Sequence, residues 1–429
     1  MKKIEIFDGN ELHNTPVPQT VKEPKCVFQG VSPTGADIAV PLDNELLSRH
    51  ILFLGGIGTG KTNAFFQIIK QLRRTLTKDD IMVVFDTKGD FYKEFYQSGD
   101  VVISNDDTAT GANGADYWNI FGEIEKNRHM QGNIIEIAKT LFHSKIEKSN
   151  QPFFPNAAKD IFSAVLTRFI RTNGECDNKA LKSFLDSSPT QKIREMLQEH
   201  EDFKSMVSYI ADDRSPQTQG VISELQQLSR EIFLENFAEK GMLSMRELVR
   251  AKGGKMVFIE YDLGIGNMLT PIYSLLFDLA IKEALSRSKS EGNVYFITDE
   301  FSLIPNLQHI DDAVNFGRSL GVKFMIGIQN INQIFENYGE ERARSLLSGF
   351  STSVAFRVND EHSKDFIRGL HGVNRKKEIF MSNVQSRGIV EQIRDANVVE
   401  DWDITRLQLG QAIIGLPGKK PFLFQFKKY

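Results

Sequence analysis

One octapeptide, residues 55–62, constrains the fold of this chain more than any other segment. It reads G-G-I-G-T-G-K-T and fits the phosphate-binding pattern G-x-x-x-x-G-K-[ST] at every fixed position. The apolar run 51–54 before it predicts a buried parallel strand, and residues 63–76 after it predict an amphipathic helix. In such a unit, glycines let backbone N–H groups close around phosphate oxygens at the helix N-terminus. The sequence therefore predicts a nucleoside triphosphate site.

Individual loop residues have distinct expected roles. The Lys61 ammonium would reach the β- and γ-phosphates, and the Thr62 hydroxyl would ligate Mg²⁺. A glycine-rich turn that matches the pattern by chance is the alternative, but it does not explain the strand and helix patterns on either side. Nucleotide contacts are expected from the whole loop and the residue after it, namely Gly55, Gly56, Ile57, Gly58, Thr59, Gly60, Lys61, Thr62 and Asn63.

Composition narrows the class of protein. The chain has 429 residues, enough for two or three domains. Its net charge of −4 excludes a generally basic nucleic-acid-coating protein, so any DNA contact has to be local. The two cysteines, Cys26 and Cys176, belong to no cluster with metal-ligand spacing, which favours a reducing compartment and no zinc. No apolar run reaches the length of a membrane helix, so we expect a cytoplasmic protein without a membrane span of its own.

The order of strand and helix patterns predicts three parts. Residues 1–46 alternate short apolar runs with turn residues and predict a β-rich lead-in. Residues 47–123 and 251–429 predict one α/β nucleotide-binding domain with a central, mostly parallel sheet. Residues 124–250 show helical periodicity and predict an all-α insertion. Near the end of the chain, alternating phenylalanines over 422–426 predict an edge strand.

Two adjacent carboxylates follow the apolar run 294–298, in the form of a Walker B motif. Asp299 can hold Mg²⁺ through its water shell, while Glu300 can orient the water that attacks the γ-phosphate. Another apolar run, 322–328, delivers Gln329 to the same edge of the sheet, where an amide can sense the γ-phosphate. The alternatives are a solvated turn for the carboxylates and a helix-capping amide for Gln329.

Four arginines are candidates to supply positive charge to the transferring phosphoryl group, often a role of a neighbouring subunit: Arg318, Arg342, Arg344 and Arg357. Arg318 lies in a glycine-bracketed turn before the strand that carries Gln329, so it would project from the opposite end of the sheet. From there it can reach another subunit but not its own nucleotide. The alternative is a solvated surface charge.

Further patterns are more specific than the glycine loop. They are F-D-T-K-G-D at 85–90, T-D-E-F at 298–301, and a spacing of eighteen positions from Glu300 to Arg318 and then eleven to Gln329. From Glu45 onward these patterns resemble the TraD/TraG family, the coupling proteins of type IV secretion and conjugation, which are RecA-like motor ATPases related to FtsK and HerA. The family places its trans-acting arginine and its γ-phosphate glutamine at these spacings. The resemblance therefore implies those roles for Arg318 and Gln329.

The resemblance also implies a fold, an activity and partners. The fold would be a RecA-like P-loop domain with an inserted all-α domain, and the ligands would be ATP and Mg²⁺. The chain would form a hexameric ring, hydrolyse ATP and translocate single- or double-stranded DNA without sequence preference. Its partners would be a relaxase or relaxosome and secretion-channel proteins. Typical members carry transmembrane helices, which are not expected here. Either a partner therefore holds this chain peripherally at the bacterial inner membrane, or it serves a mobile element as a soluble coupling ATPase, or it works outside secretion.

Two other functions stay open at this point. One is a HerA-like DNA motor in repair or phage defence, working with a nuclease. The other is an ATP-controlled recruitment platform whose helical domain binds protein cargo. For DNA contact the sequence offers the basic cluster 374–377 and the pair Lys145 and Lys148, each of which is alternatively a solvated face.

Overall fold

The computed structural model describes residues 3–17, 21–106, 117–172, 174–286, 292–381 and 389–429. The chain divides into a first unit of Met1–Thr77, Lys289–Ser302 and Asp311–Tyr429 and a second unit of Lys78–Ser288 and Leu303–Ile310.

Elements are numbered along the chain. The strands are β1 (Lys3–Asp8), β2 (Pro24–Val31), β3 (Asp37–Asp43), β4 (Ile51–Leu54), β5 (Ile81–Asp86), β6 (Val101–Ile103), β7 (Lys255–Glu260), β8 (Val294–Thr298), β9 (Val322–Ile328), β10 (Thr352–Ala355), β11 (Val373–Met381), β12 (Ile389–Asn397), β13 (Gln411–Gly415) and β14 (Phe422–Phe426). The helices are α1 (Asn44–Leu47), α2 (Lys61–Thr75), α3 (Asp90–Phe95), α4 (Met130–Lys148), α5 (Phe153–Arg171), α6 (Asn178–Ser187), α7 (Thr190–Gln198), α8 (Pro216–Ile232), α9 (Met245–Ala251), α10 (Gly266–Leu285), α11 (Ile310–Phe316), α12 (Ile331–Tyr338), α13 (Glu340–Ser348), α14 (Glu361–His371) and α15 (Asp401–Thr405). Short 3₁₀ turns lie at Ile120–Glu123, Glu201–Ile210, Glu235–Ala238, Phe301–Leu303 and Gly317–Leu320. Within the described ranges, no helix combines the length and apolar composition of a membrane-spanning segment.

The first unit contains a mixed sheet with a parallel middle. Its strands follow the order β3-β2-β14-β13-β10-β4-β9-β8, in which β10, β4, β9 and β8 run parallel and the other neighbours antiparallel. Every residue of β4, β8 and β9 is buried, as expected for parallel strands covered on both faces. The predicted edge strand, β14, is instead an interior strand between β13 and β2. Alternating phenylalanines identify which face of a strand is buried, but they carry no information about its neighbours.

Strand register brings the carboxyl ends of the parallel strands level. Leu54 of β4 pairs with Ile328 of β9 and with Ala355 of β10, and Thr298 of β8 pairs with Ile326. Because parallel strands end at one edge of the sheet, the residues that follow β4, β8, β9 and β10 lie side by side.

Helix α2 is fixed to the sheet by two glutamines. Gln71 bonds both backbone groups of Val27 at 3.0 and 2.8 Å, and Gln67 does the same for Gln29 at 2.9 and 3.1 Å. Strand β2 pairs with β14 only at its last two residues, so these amides bond backbone groups beyond that pairing; Gln29 O also accepts from Lys427 N at 2.9 Å. The contact holds in place the helix that begins at the glycine loop.

A separate antiparallel sheet has the order β1-β11-β12. It contains the basic cluster 374–377, whose cations face acids on β12 and the turn after it. The ion pairs join Arg375 to Asp395 at 3.5 Å, Lys376 to Glu400 at 2.7 Å and Lys377 to Glu391 at 2.7 Å. This surface therefore has balanced charge, as the solvated-face alternative expects.

The second unit combines the parallel strands β5-β7-β6 with helices α4 to α10. A buried carboxylate joins its parts: Glu123 accepts hydrogen bonds from Trp118 Nε1 at 2.9 Å, Ser244 Oγ at 3.1 Å and the backbone N–H groups of Met245 and Arg246 at 2.6 and 3.2 Å. Burial raises the pKa of Glu123. The carboxylate satisfies backbone donors at the start of α9 and fixes that helix to the 3₁₀ turn at Ile120–Glu123.

Candidate nucleotide site

The glycine loop follows β4 and leads into α2. Gly58 and Gly60 have positive φ angles of 70° and 116°, a region that favours glycine. A Cβ on Gly60 would lie 3.0 Å from Cα of Gly410, and a Cβ on Gly55 would lie 2.6 Å from Cβ of Phe356. At Gly58 a Cβ would meet no described atom within 4 Å. The loop is thus tightly packed at Gly55 and Gly60 and open at Gly58, as a phosphate-binding loop at a helix N-terminus requires.

Internal hydrogen bonds hold the loop closed. Lys61 is buried, and its ammonium donates to the carbonyls of Gly55 and Gly56, the latter at 3.2 Å. The Thr59 hydroxyl also donates to Gly56 O, at 2.8 Å. The Lys61 ammonium, predicted to contact phosphates, therefore lies on the loop itself, directly beside the backbone that would surround them.

The remaining predicted contacts lie at the tip of the loop and the start of α2. Ile57 is exposed, and Thr62 is in the first turn of the helix. The Asn63 side chain donates to Lys427 O at 2.9 Å and accepts from Tyr429 N at 2.7 Å. Because the chain itself uses the Asn63 amide, the expected contribution of Asn63 to a nucleotide is its backbone N–H.

The predicted carboxylates and amide meet at the same sheet edge. Glu300 is buried; its Oε1 accepts from Ser302 Oγ at 2.7 Å, and its Oε2 accepts from Gln329 Nε2. Asp299 precedes it directly after β8, and its carbonyl oxygen would be 2.4 Å from a Cβ on Gly327. Glycine at 327 therefore permits the close approach of the chain after β8 to β9.

Backbone bonds attach the loop to both neighbouring strands. Gly55 N donates at 3.1 Å to the carbonyl oxygen of Ile328, which is the residue before Gln329. Gly56 N donates to Arg357 O at 2.9 Å, just beyond β10. The structure thus brings together the glycine loop, Glu300 and Gln329.

Arg318 lies at the other end of β9. It belongs to the turn Gly317–Leu320, is exposed, and forms an ion pair with Glu45 at 3.3 Å. The seven residues of β9 separate it from Gln329 by roughly 20 Å. The other candidate arginines are Arg342 paired with Asp311, Arg344 paired with Glu340, and the exposed Arg357 beside the loop.

Sequence reasoning missed three residues of this site, Ser302, Phe356 and Gly410. Ser302 was within reach of prediction, because a hydroxyl two positions after Glu300 can bond its carboxylate. No signal in the sequence places Phe356 or Gly410 against the loop, because that contact depends on which strands adjoin β4.

The family-like segment 85–90 lies in the second unit. Asp86 accepts from Lys88 N at 3.2 Å and from Tyr92 N at 2.8 Å, which fixes the turn into α3. Burial raises the pKa of Asp86, and burial together with the Asp86 charge raises the pKa of Glu260, at the end of β7, to about 8. At neutral pH the carboxyl groups of Asp86 and Glu260 are therefore expected to share one proton.

A cluster of two carboxyl groups and a histidine in this unit was not predicted from the sequence. Possible ligand atoms of Glu136, Asp278 and His309 lie within 4.8 Å of one another. His309 Nδ1 is 2.9 Å from Asp278, and the Lys282 ammonium donates to Glu136. Burial opposes the charged imidazole, but the Asp278 hydrogen bond and both carboxylate charges raise the pKa of His309. The protein's own cations thus balance these acids, which fits a structural ion-pair network.

The chain is similar to coupling proteins of type IV secretion. It is 22% identical over 415 residues to the coupling protein TraD of Escherichia coli (strain K12), a match that covers 92% of this chain and 54% of TraD. It is 23% identical over 251 residues to the coupling protein VirD4 of Bartonella henselae, covering 54% of this chain and 38% of VirD4. The chain thus spans about half the length, or less, of these curated relatives.

The fold is similar to that of the plasmid coupling protein TrwB solved in complex with ADP and Mg²⁺. The TM-score is 0.74 at 18% identity, covering 99% of this chain and 95% of the TrwB chain. This likeness confirms the predicted α/β fold of the RecA type with an all-α insertion. A family model described as the type IV secretion-system coupling protein DNA-binding domain matches residues 36–423. Because that match spans most of the chain and agrees with its motifs, the chain belongs to the type IV secretion-system coupling protein DNA-binding domain family.

Proposed function

We propose that this chain hydrolyses ATP at the glycine loop, with Glu300 as the residue that orients the attacking water. The observation that carries this proposal is the pair of hydrogen bonds to Glu300 from Ser302 and Gln329, beside the loop. Because both carboxylate oxygens accept a bond, the direction of the carboxylate is fixed. A carboxylate held in this way can align a water with the γ-phosphorus and accept its proton.

Two oxygen ligands, one at the start of α2 and one directly after β8, fit Mg²⁺. Thr62 offers a hydroxyl and Asp299 a carboxylate, which are the hard ligands that this ion prefers. Bound there, Mg²⁺ would supply positive charge to the phosphoryl oxygens. Lys61 would add its own charge to the β- and γ-phosphates, and Gln329 would sense the γ-phosphate. The TrwB complex with ADP and Mg²⁺, which shares this fold, supports the assignment.

Arg318 would complete the site of a neighbouring subunit in a hexameric ring. Its place at the far end of β9 from Gln329 supports action in trans. Its exposure and its weak surface ion pair with Glu45 also support it, because such pairs contribute little stability and exchange partners readily.

In this proposal the chain is a coupling ATPase that moves DNA or nucleoprotein to a type IV secretion channel. Family membership supports the pathway, and the division into a lead-in of 1–46, a nucleotide-binding domain of 47–123 and 251–429, and an all-α domain of 124–250 is part of the proposal. The helical domain would meet the relaxase or relaxosome. A partner would hold the ring peripherally at the inner membrane.

The test is steady-state ATP hydrolysis measured against protein concentration, with and without single- and double-stranded DNA. We expect turnover per subunit to rise with concentration and again with DNA, because sites shared between subunits form only on assembly. Glu300→Gln should lose hydrolysis by about 10³-fold while it still binds ATP. Lys61→Ala, which removes charge from the phosphates, is the blank.

Other outcomes would assign a different function. ATP turnover that depends neither on protein concentration nor on DNA would contradict a DNA motor and favour the ATP-controlled recruitment platform. DNA-stimulated turnover that depends on an added nuclease partner would favour the HerA-like motor in repair or phage defence.

A further inference from the structure

A turn between α15 and β13 is fixed directly against the glycine loop. Gly410 N donates to Thr59 O at 2.9 Å, and Phe426 N donates to Gly410 O at 2.8 Å. The Gly410 Cα is also the atom that a Cβ on Gly60 would meet at 3.0 Å. The turn is therefore a fixed wall beside the loop.

This wall presents an apolar side chain to solvent. Leu409, the neighbour of Gly410, is 73% exposed, although its backbone is held in place by a bond from Gln425 Nε2 to Leu409 O at 3.1 Å. An exposed leucine on a rigid turn, one residue from the phosphate loop, is available for an apolar contact with a bound molecule.

A second wall lies at the start of α2. The Asn63 side chain bonds the backbone of Lys427 and Tyr429, as described above. The Tyr429 ring packs against Phe66 with centroids 5.2 Å apart, and Lys70 Nζ lies 4.4 Å from its centre. The aromatic ring is thus held beside the second and third turns of α2, the helix that leaves the loop.

The sheet order gives the nucleotide a direction. Glu300 and Gln329 follow β8 and β9, on one side of β4, whereas Leu409 and Tyr429 adjoin β13 and β14, on the other side. With the γ-phosphate at Glu300, the α-phosphate end and its nucleoside must extend toward β13 and β14.

We propose that Leu409 and Tyr429 form the subsite for the nucleotide base, an apolar surface against which a purine packs without hydrogen bonds to its edge. This inference rests on the proposed ATPase function and deepens it. The amide side chains at the turn are bonded to its own backbone: Gln408 donates to Arg406 O at 2.9 Å, Gln411 accepts from Gln408 N at 3.2 Å, and Gln425 donates to Leu409 O. A site that makes apolar contact alone discriminates weakly between adenine and guanine.

Calorimetric titration with ADP, GDP and inorganic tripolyphosphate, all with Mg²⁺, tests this subsite. The wild-type chain should bind ADP and GDP with Kd values within about fivefold of each other. Leu409→Ser and Tyr429→Ala should each raise both Kd values by about three- to tenfold, because apolar contact with the base is lost. The Kd of tripolyphosphate, which has no base, should change less than about twofold in the same variants.

Controls separate a lost contact from a disturbed loop. Leu263→Ser, a change at a leucine of 76% exposure on the turn after β7, should behave as wild type, and Leu409→Met, which keeps an apolar surface, should bind ADP and GDP more tightly than Leu409→Ser. Equal weakening of tripolyphosphate, or no change for any ligand, would overturn the subsite, and so would a tenfold preference for one purine. If the wild-type chain binds none of the three ligands, the proposed function itself fails.

Discussion

At the scale of single residues, the site depends on where β9 begins and ends. Gln329 follows its last residue and donates to Glu300, whereas Arg318 precedes its first residue and faces Glu45. Spacing in the sequence predicted both positions, because a buried strand of known length separates its two ends by a known distance. Their partners, Glu300 for Gln329 and Glu45 for Arg318, depend on tertiary contacts and became visible only in the structure.

His50 gives a residue-scale prediction about pH. It is 1% exposed, its Nδ1 accepts from Phe324 N at 3.1 Å, and its Nε2 donates to Val314 O at 3.2 Å, which requires the neutral ring. Burial lowers the pKa of His50 to about 4. In the unfolded chain the pKa is about 6.5, so between these pH values only the unfolded state gains the proton, and stability falls as pH falls.

The measurement is urea unfolding of wild type and His50→Asn at pH 7.0, 5.5 and 4.5. Asparagine is chosen because it tolerates the φ of 58° at this position. The variant should be less stable at pH 7.0, but its free energy of unfolding should fall by about 1 kcal/mol less per pH unit between 6.5 and 4 than that of wild type. Parallel curves for the two proteins would show that His50 does not titrate in this way.

At the scale of elements, the sequence pattern predicted the apolar strands well and the charged strands poorly. The runs at β4, β5, β8 and β9 are covered on both faces, so their sequences are almost wholly apolar. Strands β11 and β12 escaped prediction because ion pairs between charged side chains connect them, and such a pattern resembles a solvated loop. The turn at Gly410 escaped because no local signal shows that the antiparallel β13 begins at the loop's edge of the sheet.

The glycine loop yields an element-scale prediction. Gly60→Ala adds a Cβ 3.0 Å from the Gly410 Cα at a φ of 116°, so both strain and a backbone contact oppose it. Gly58→Ala meets no described atom within 4 Å and bears only the strain of its φ of 70°. We expect losses of unfolding free energy of about 3 kcal/mol for the first variant and about 1 kcal/mol for the second. Urea unfolding measures both, and equal losses would contradict the role of Gly410 as a wall.

At the scale of the whole molecule, Glu300 and Arg318 of one chain are too far apart to contact the same nucleotide. Glu300 lies at the carboxyl edge of the sheet and Arg318 at its amino edge, roughly 20 Å apart along β9. An arginine finger has to touch the transferring phosphoryl group. If Arg318 is that finger, catalysis needs a second copy of the chain, and the active unit is an interface.

Mixed assemblies test this arrangement. Glu300→Gln and Arg318→Ala should each abolish ATP turnover alone, the second by on the order of 10³-fold. In an equal mixture, an interface that pairs the intact Glu300 of one subunit with the intact Arg318 of its neighbour is complete, so about a quarter of sites should recover with random assembly. A mixture of Lys61→Ala with Glu300→Gln is the matched control, because both residues act in the same subunit's site and no pairing restores it. Recovery in the first mixture but not the second requires Arg318 to act in trans, whereas normal turnover by Arg318→Ala alone would remove it from the mechanism.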